Sequence, residues 1–118
     1  MDFPKKKYQI IYADPPWAYR DKRNKHPRLC GGALVHYDTM TVEQIGQLAV
    51  KEIAADNCIL FLWATFPNLP EALRVIKSWG FQYKTNIIWQ KVRKDGEPDG
   101  RGVGFYFRNT TEILLFGI

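Results

Sequence analysis

The sequence predicts an α/β domain, half of a doubly wound fold, and three observations carry that reading. Segments that read as strands stand at 8–13, 58–64, 83–91 and 113–116. Helical patterns separate the first three. The run Cys58-Ile59-Leu60-Phe61-Leu62-Trp63-Ala64 is continuously apolar, as in central strands of a parallel sheet covered on both faces. The order is therefore strand, helix, strand, helix, strand, loop, strand. Two right-handed crossovers give a parallel three-stranded core, and the last strand returns antiparallel beside the third.

The first strand, Tyr8 to Ala13, runs straight into Asp14-Pro15-Pro16-Trp17. Neither proline donates a backbone hydrogen bond and each fixes its own φ, so this backbone is stiff and its carbonyls are expected to point outward. In open α/β sheets the crevice beyond the carboxyl ends of the strands takes the ligand. An acid, rigid carbonyls and a flat indole meeting there suit something planar that carries an amine.

Residues 14–40 are too long for a mere connector, which marks a functional segment. Thr41 and Gln44 fit a capping box, and Val42, Ile45, Leu48 and Ala49 form an apolar face on a helix reaching Ala54 or Ala55. Asn68 is placed to cap the next helix, with Pro70 in its first turn, where no amide donor is missed. Leu69, Ala72, Leu73, Ile76 and Trp79 make its apolar stripe, and Gly80 suits the position just past its end. The third strand spans Tyr83 to Lys91. Residues 92–110 are Gly-rich, charged and without periodicity. Trp63, Trp79, Trp89 and Cys58 are assigned to the core.

At 118 residues this is one domain. The net charge of +5 is unevenly placed: Lys5-Lys6-Lys7 precedes the first strand, and Arg20 to Arg28 carries five Lys/Arg against one acid. A basic segment beside the acid-proline motif favours a polyanion, and so nucleic acid. No apolar run reaches the length of a membrane span, so no membrane partner is expected, and a cytoplasmic location is. Cys30 and Cys58 are far apart with no Cys-x-x-Cys, which predicts reduced thiols and no metal site.

Tyr12-Ala13-Asp14-Pro15-Pro16-Trp17 resembles the catalytic motif of amino-methyltransferases that use S-adenosylmethionine, specifically the adenine-N6 methyltransferases of the MT-A70 family. The likeness continues in the family's order. His36-Tyr37-Asp38-Thr39-Met40-Thr41 is similar to its Tyr-x-Thr-Met segment, and Leu60 to Thr65 to its second strand. Trp79-Gly80-Phe81 with Ile87 to Lys91 resembles a helix end and third strand, and Asn109 to Gly117 resembles an acid entering a strand that ends in Gly. The match covers residues 8–118.

The resemblance implies a partial Rossmann-like S-adenosylmethionine methyltransferase sheet and N6-methylation of adenine in nucleic acid. The exocyclic amine of adenine is a poor nucleophile because its lone pair is delocalised into the ring. Asp14 and the Pro15 carbonyl are the implied acceptors for its protons, which would aim that lone pair at the methyl donor. Positioning of this kind can supply ~7–11 kcal/mol of the barrier. The implied catalytic set is Asp14, Pro15, Pro16 and Trp17, with Asp14, Pro15 and Pro16 also touching the cofactor. Trp17 and Tyr37 are candidates to stack on the base, and Arg20, Lys22 and Arg23 to meet phosphates. His36 shows no acid-His spacing and is not assigned a catalytic role.

The sequence departs from the family in one respect. It has no loop that cradles the methionine end of the cofactor, and the expectation is that residues 1–118 are the N-terminal, catalytic-motif part, with the C-terminal cofactor-binding part absent. The compact N-terminus favours DNA over RNA as the substrate. The alternative function is a non-catalytic nucleic-acid-binding or regulatory partner with the same fold. Such partners tend to lose the motif's acid, whereas Asp14 is intact. A homodimer or heterodimer is compatible with either reading.

Overall fold

The structure, a computed structural model, describes residues 2–18, 38–97 and 111–118. Its elements in chain order are β1 (Tyr8–Ala13), α1 (Val42–Gly46), α2 (Val50–Ile53), β2 (Ala54–Ala64), α3 (Leu69–Ser78), β3 (Tyr83–Gln90) and β4 (Thr111–Gly117). A single 3-10 turn, Phe66–Asn68, leads into α3.

The four strands form one mixed sheet in the order β1-β2-β4-β3. β1 and β2 are parallel, with Ala13 opposite Leu62, and β4 runs antiparallel to both β2 and β3. The antiparallel return beside β3 is as expected from the sequence, but the continuous parallel core is not. β4 lies between β2 and β3, so only β1 and β2 are parallel neighbours. The composition of the strands accounts for this. The two most apolar runs, in β2 and β4, take the centre, whereas β3 carries Lys84, Thr85, Asn86 and Gln90 and sits at an edge.

Burial alternates along the central strands with the period of two that a pleat imposes. Cys58, Leu60, Leu62 and Ala64 of β2, with Ile113 and Leu115 of β4, share one core with Ile45, Val50, Ala72, Val75, Ile76 and Trp79 from the helices. On the opposite face Ile59, Phe61, Trp63, Leu114 and Phe116 are half-buried, and Ile10, Tyr12, Ile87 and Trp89 are exposed. Among the described residues, helices cover one face only, which corrects the two-sided cover expected from the apolar run. Trp89, expected in the core, is therefore on the open face; Trp63 is half-buried there, and only Trp79 of the three is fully inside.

The local signals decide the helix ends. The Thr41 hydroxyl accepts from the Gln44 amide at 3.1 Å, and the Gln44 side chain accepts from the Thr41 amide at 2.9 Å, completing the capping box. The helix stops at Gly46 instead of reaching Ala54, in keeping with the poor helix propensity of glycine, and a short second helix follows. Asn68 stands at the N-cap of α3 without capping it; its amide donates to the Thr65 hydroxyl at 3.1 Å instead. Val75 is buried and Leu73 is exposed, which rotates the expected stripe by part of a turn. At the other end Gly80 takes φ +87°, and the amides of Gly80 and Phe81 donate to Lys77 and Ile76, a Schellman ending.

Candidate active site

The strand directions bring the carboxyl ends of β1, β2 and β3 and the amino end of β4 to one edge of the sheet. A cleft of about 560 Å³ opens there, lined by Asp14, Pro15, Pro16, Trp17, Asp38, Trp63, Ala64, Thr65 and Glu112. Its size falls within the range of small-molecule sites. The cleft lies at the edge to which the crevice rule, applied to β1, points.

The acid-proline motif is held by its own backbone. The Trp17 amide donates to the Pro15 carbonyl at 2.9 Å, and the Met40 amide donates to the Pro16 carbonyl at 2.9 Å. A parallel bridge between Trp17 and Met40 continues this contact and brings Asp38 to the cleft. Each of the two proline carbonyls thus has one backbone partner. A carbonyl has two lone pairs, so the Pro15 oxygen keeps one for a ligand.

Trp17 is buried, with 7% of its surface exposed, and its indole N–H donates to the Trp63 carbonyl at 3.0 Å. It is a wall of the cleft fastened to β2, which leaves little ring face for stacking. Asp14, in contrast, is exposed at the rim. Partial desolvation, reinforced by the negative charge of Glu112, raises its carboxyl above the ordinary value of 3.8. Glu112 itself pairs with the Lys91 ammonium at 2.8 Å.

Tyr37, Arg20, Lys22, Arg23, His36 and Cys30 lie outside the described residues. Four cleft residues lie outside the sequence-derived site: Asp38, Trp63, Ala64 and Thr65. A fifth, Glu112, enters it only as an acid entering a strand. Thr65 and the neighbouring Trp63 could have been found, because they close β2 as Asp14 closes β1. The cleft is rich in carboxylates, yet among the described residues no group of three or more His, Cys, Asp or Glu is arranged to hold a metal ion. Cys58 is a buried free thiol whose acidity burial suppresses, in keeping with a core residue. No helix among the described residues is long and apolar enough to cross a membrane.

Residues 8–118 match the family model described as MT-A70. The type II methyltransferase M.MunI of a Mycoplasma species is 39% identical over 126 residues, covering 95% of this chain and 51% of that protein. The human N(6)-adenine-specific methyltransferase METTL4 is 29% identical over 98 residues, covering 79% of this chain and 18% of that protein. The catalytic subunit of human N(6)-adenosine-methyltransferase, METTL3, is 26% identical over 113 residues, covering 95% and 17%. The chain spans about half the length of the first of these and under a fifth of the other two.

Proposed function

The chain belongs to the MT-A70 family, and we propose that it carries the catalytic motif of an N6-adenine methyltransferase acting on nucleic acid. The observation that carries this reading is that Asp14, exposed, and Pro15, buried beside it, both line the cleft. Both are acceptors, and an exocyclic amine offers two donors. Asp14 takes one N–H and the free lone pair of Pro15 the other, which turns the nitrogen lone pair away from them into the cleft. The second acceptor is fixed by the Trp17 amide, so little reorganisation is left for the reaction itself.

The methyl donor of this reading is S-adenosylmethionine, which would supply a methyl group on a positively charged sulfur. The donor set suits such a cation: Asp14, Asp38 and Glu112 line the cleft, and Lys91 is the counter-charge paired with one of them. In this reading Asp14, Pro15 and Pro16 touch it. Trp17 excludes water from one wall and holds the motif to β2.

DNA is the favoured substrate, on the strength of 39% identity with a type II methyltransferase against 26% with an adenosine methyltransferase subunit. An intact Asp14 in the cleft favours catalysis over a purely binding role. Asp14→Ala should abolish methyl transfer to adenine-containing DNA while leaving the fold intact. Full activity in that variant would refute the mechanism.

A further inference from the structure

We propose that Tyr12, Trp63 and Trp89 form a stacking shelf for the bases that flank the target adenine on a single-stranded or locally opened strand. The proposal rests on the nucleic-acid reading above. The three rings come from the carboxyl ends of three different strands and stand on the open face, where the sheet meets the cleft.

Trp63 is the pivot. It lines the cleft, and its indole N–H donates to the Tyr12 hydroxyl on one side. On the other side its ring meets Trp89 edge-to-face, with centroids 6.1 Å apart and planes at 87°. Its carbonyl is held by Trp17, so the shelf is tied to the acid-proline motif through one residue. The outer two rings are open: Tyr12 is 66% and Trp89 58% exposed. Large aromatic faces pre-arranged by hydrogen bond and ring contact, and left in water, are suited to flat ligands.

The occupant follows from continuity and charge. A strand whose adenine enters the cleft at Asp14 must lay its neighbouring bases along the rim, and Trp63 belongs to both. Lys91 lies two residues beyond Trp89, and its ammonium, paired with Glu112 at 2.8 Å, is placed to meet a phosphate of that strand. Every base has a π face, so the shelf would tolerate any flanking sequence while favouring bases that are out of a duplex. Away from the cleft the same face carries exposed Ile10 and Ile87 and the half-buried Phe61–Phe116 edge-to-face pair, whose rings offer less open surface than Tyr12 and Trp89.

The test is fluorescence anisotropy with the full chain and two labelled single-stranded probes, one with a central adenine and one with that adenine flanked by abasic sites. The wild-type chain should bind the abasic-flanked probe about tenfold more weakly, the scale of one lost base–aromatic stack. Trp89→Ala should weaken the intact probe by about the same factor and narrow the difference between the two, with Tyr12 still on the shelf. Trp89→Phe, which keeps a ring, should restore most of the difference. Equal wild-type affinity for both probes overturns the shelf, as does a Trp89→Ala chain that discriminates as fully as the wild type. A wild-type chain that binds neither probe overturns the underlying nucleic-acid reading instead. If Trp89→Ala leaves both affinities intact but changes the oligomeric state in light scattering, the face docks a polypeptide and the shelf is wrong.

Discussion

The Trp17 indole N–H reaches the Trp63 carbonyl at 3.0 Å and so joins the loop after β1 to the end of β2. These are the two ends that frame the cleft. The last residue of the acid-proline motif is thus an architectural one: it fixes where Asp14 stands, and it does so through a bond from a side chain that is almost wholly inside.

Trp17→Phe keeps the ring but removes the donor and leaves the Trp63 carbonyl without it. The expected loss is about 1–2 kcal/mol of stability. Trp17→Ala adds a cavity and should cost roughly 3–5 kcal/mol. Urea unfolding followed by circular dichroism reads both. Equal stability of the phenylalanine variant and the wild type would show that the bond does not hold the two ends together.

The parts of this fold legible in the sequence are those set by near neighbours along the chain. Thr41 and Gln44 are three residues apart, and Gly80 follows its helix directly; each behaves as its local chemistry requires. The position of β4 between β2 and β3 depends on which strands pair, and no stretch of local pattern encodes that. The exposure of Trp89 follows from the same non-local choice, since an edge strand on an open face leaves even a tryptophan in water. In the cleft, Asp14 was legible because strand ends carry sites. Asp38 and Glu112 arrive through chain returns: one through the Trp17–Met40 bridge, the other through the register that sets Ala64 opposite Ile113.

The capping box at the start of α1 is a direct measure of how firmly that return is held, because Thr41 follows the residue that bonds Pro16. Thr41→Ala should cost about 1 kcal/mol of stability. Thr41→Ser, which keeps the acceptor, should cost much less. Urea unfolding of the pair checks this, and equal losses would assign the effect to packing.

The basic stretch from Arg20 to Arg28 makes a separate prediction in solution. If Arg20, Lys22 and Arg23 meet phosphates, neutralising them lowers nucleic-acid affinity and flattens its dependence on salt. On a duplex each lost contact reduces the slope of log K against log salt by about 0.9. Titrations of the triple Ala variant at several salt concentrations measure it, and an unchanged slope would remove these residues from the phosphate contacts.

The charge on Asp14 is the variable through which the cleft responds to pH. Partial desolvation, and then the charge of Glu112, raise its carboxyl above the usual 3.8. The folded state therefore holds this proton more tightly than the unfolded chain. Folding is favoured by the protonated form, and that contribution is lost as pH rises from below 3.8 through the raised folded value. The function proposed for Asp14 needs the opposite form, because only the carboxylate accepts a strong hydrogen bond from an amine. Glu112→Gln removes one of the two causes and should bring the Asp14 midpoint down. Lys91→Met strips Glu112 of its counter-charge, 2.8 Å away, and should move the midpoint further up. Carbon-13 NMR titration of the Asp14 carboxyl reads both shifts without depending on turnover. If the Glu112→Gln midpoint stayed where it was, desolvation alone would set the acidity of Asp14, and the acid limb of methyl transfer would be independent of Glu112.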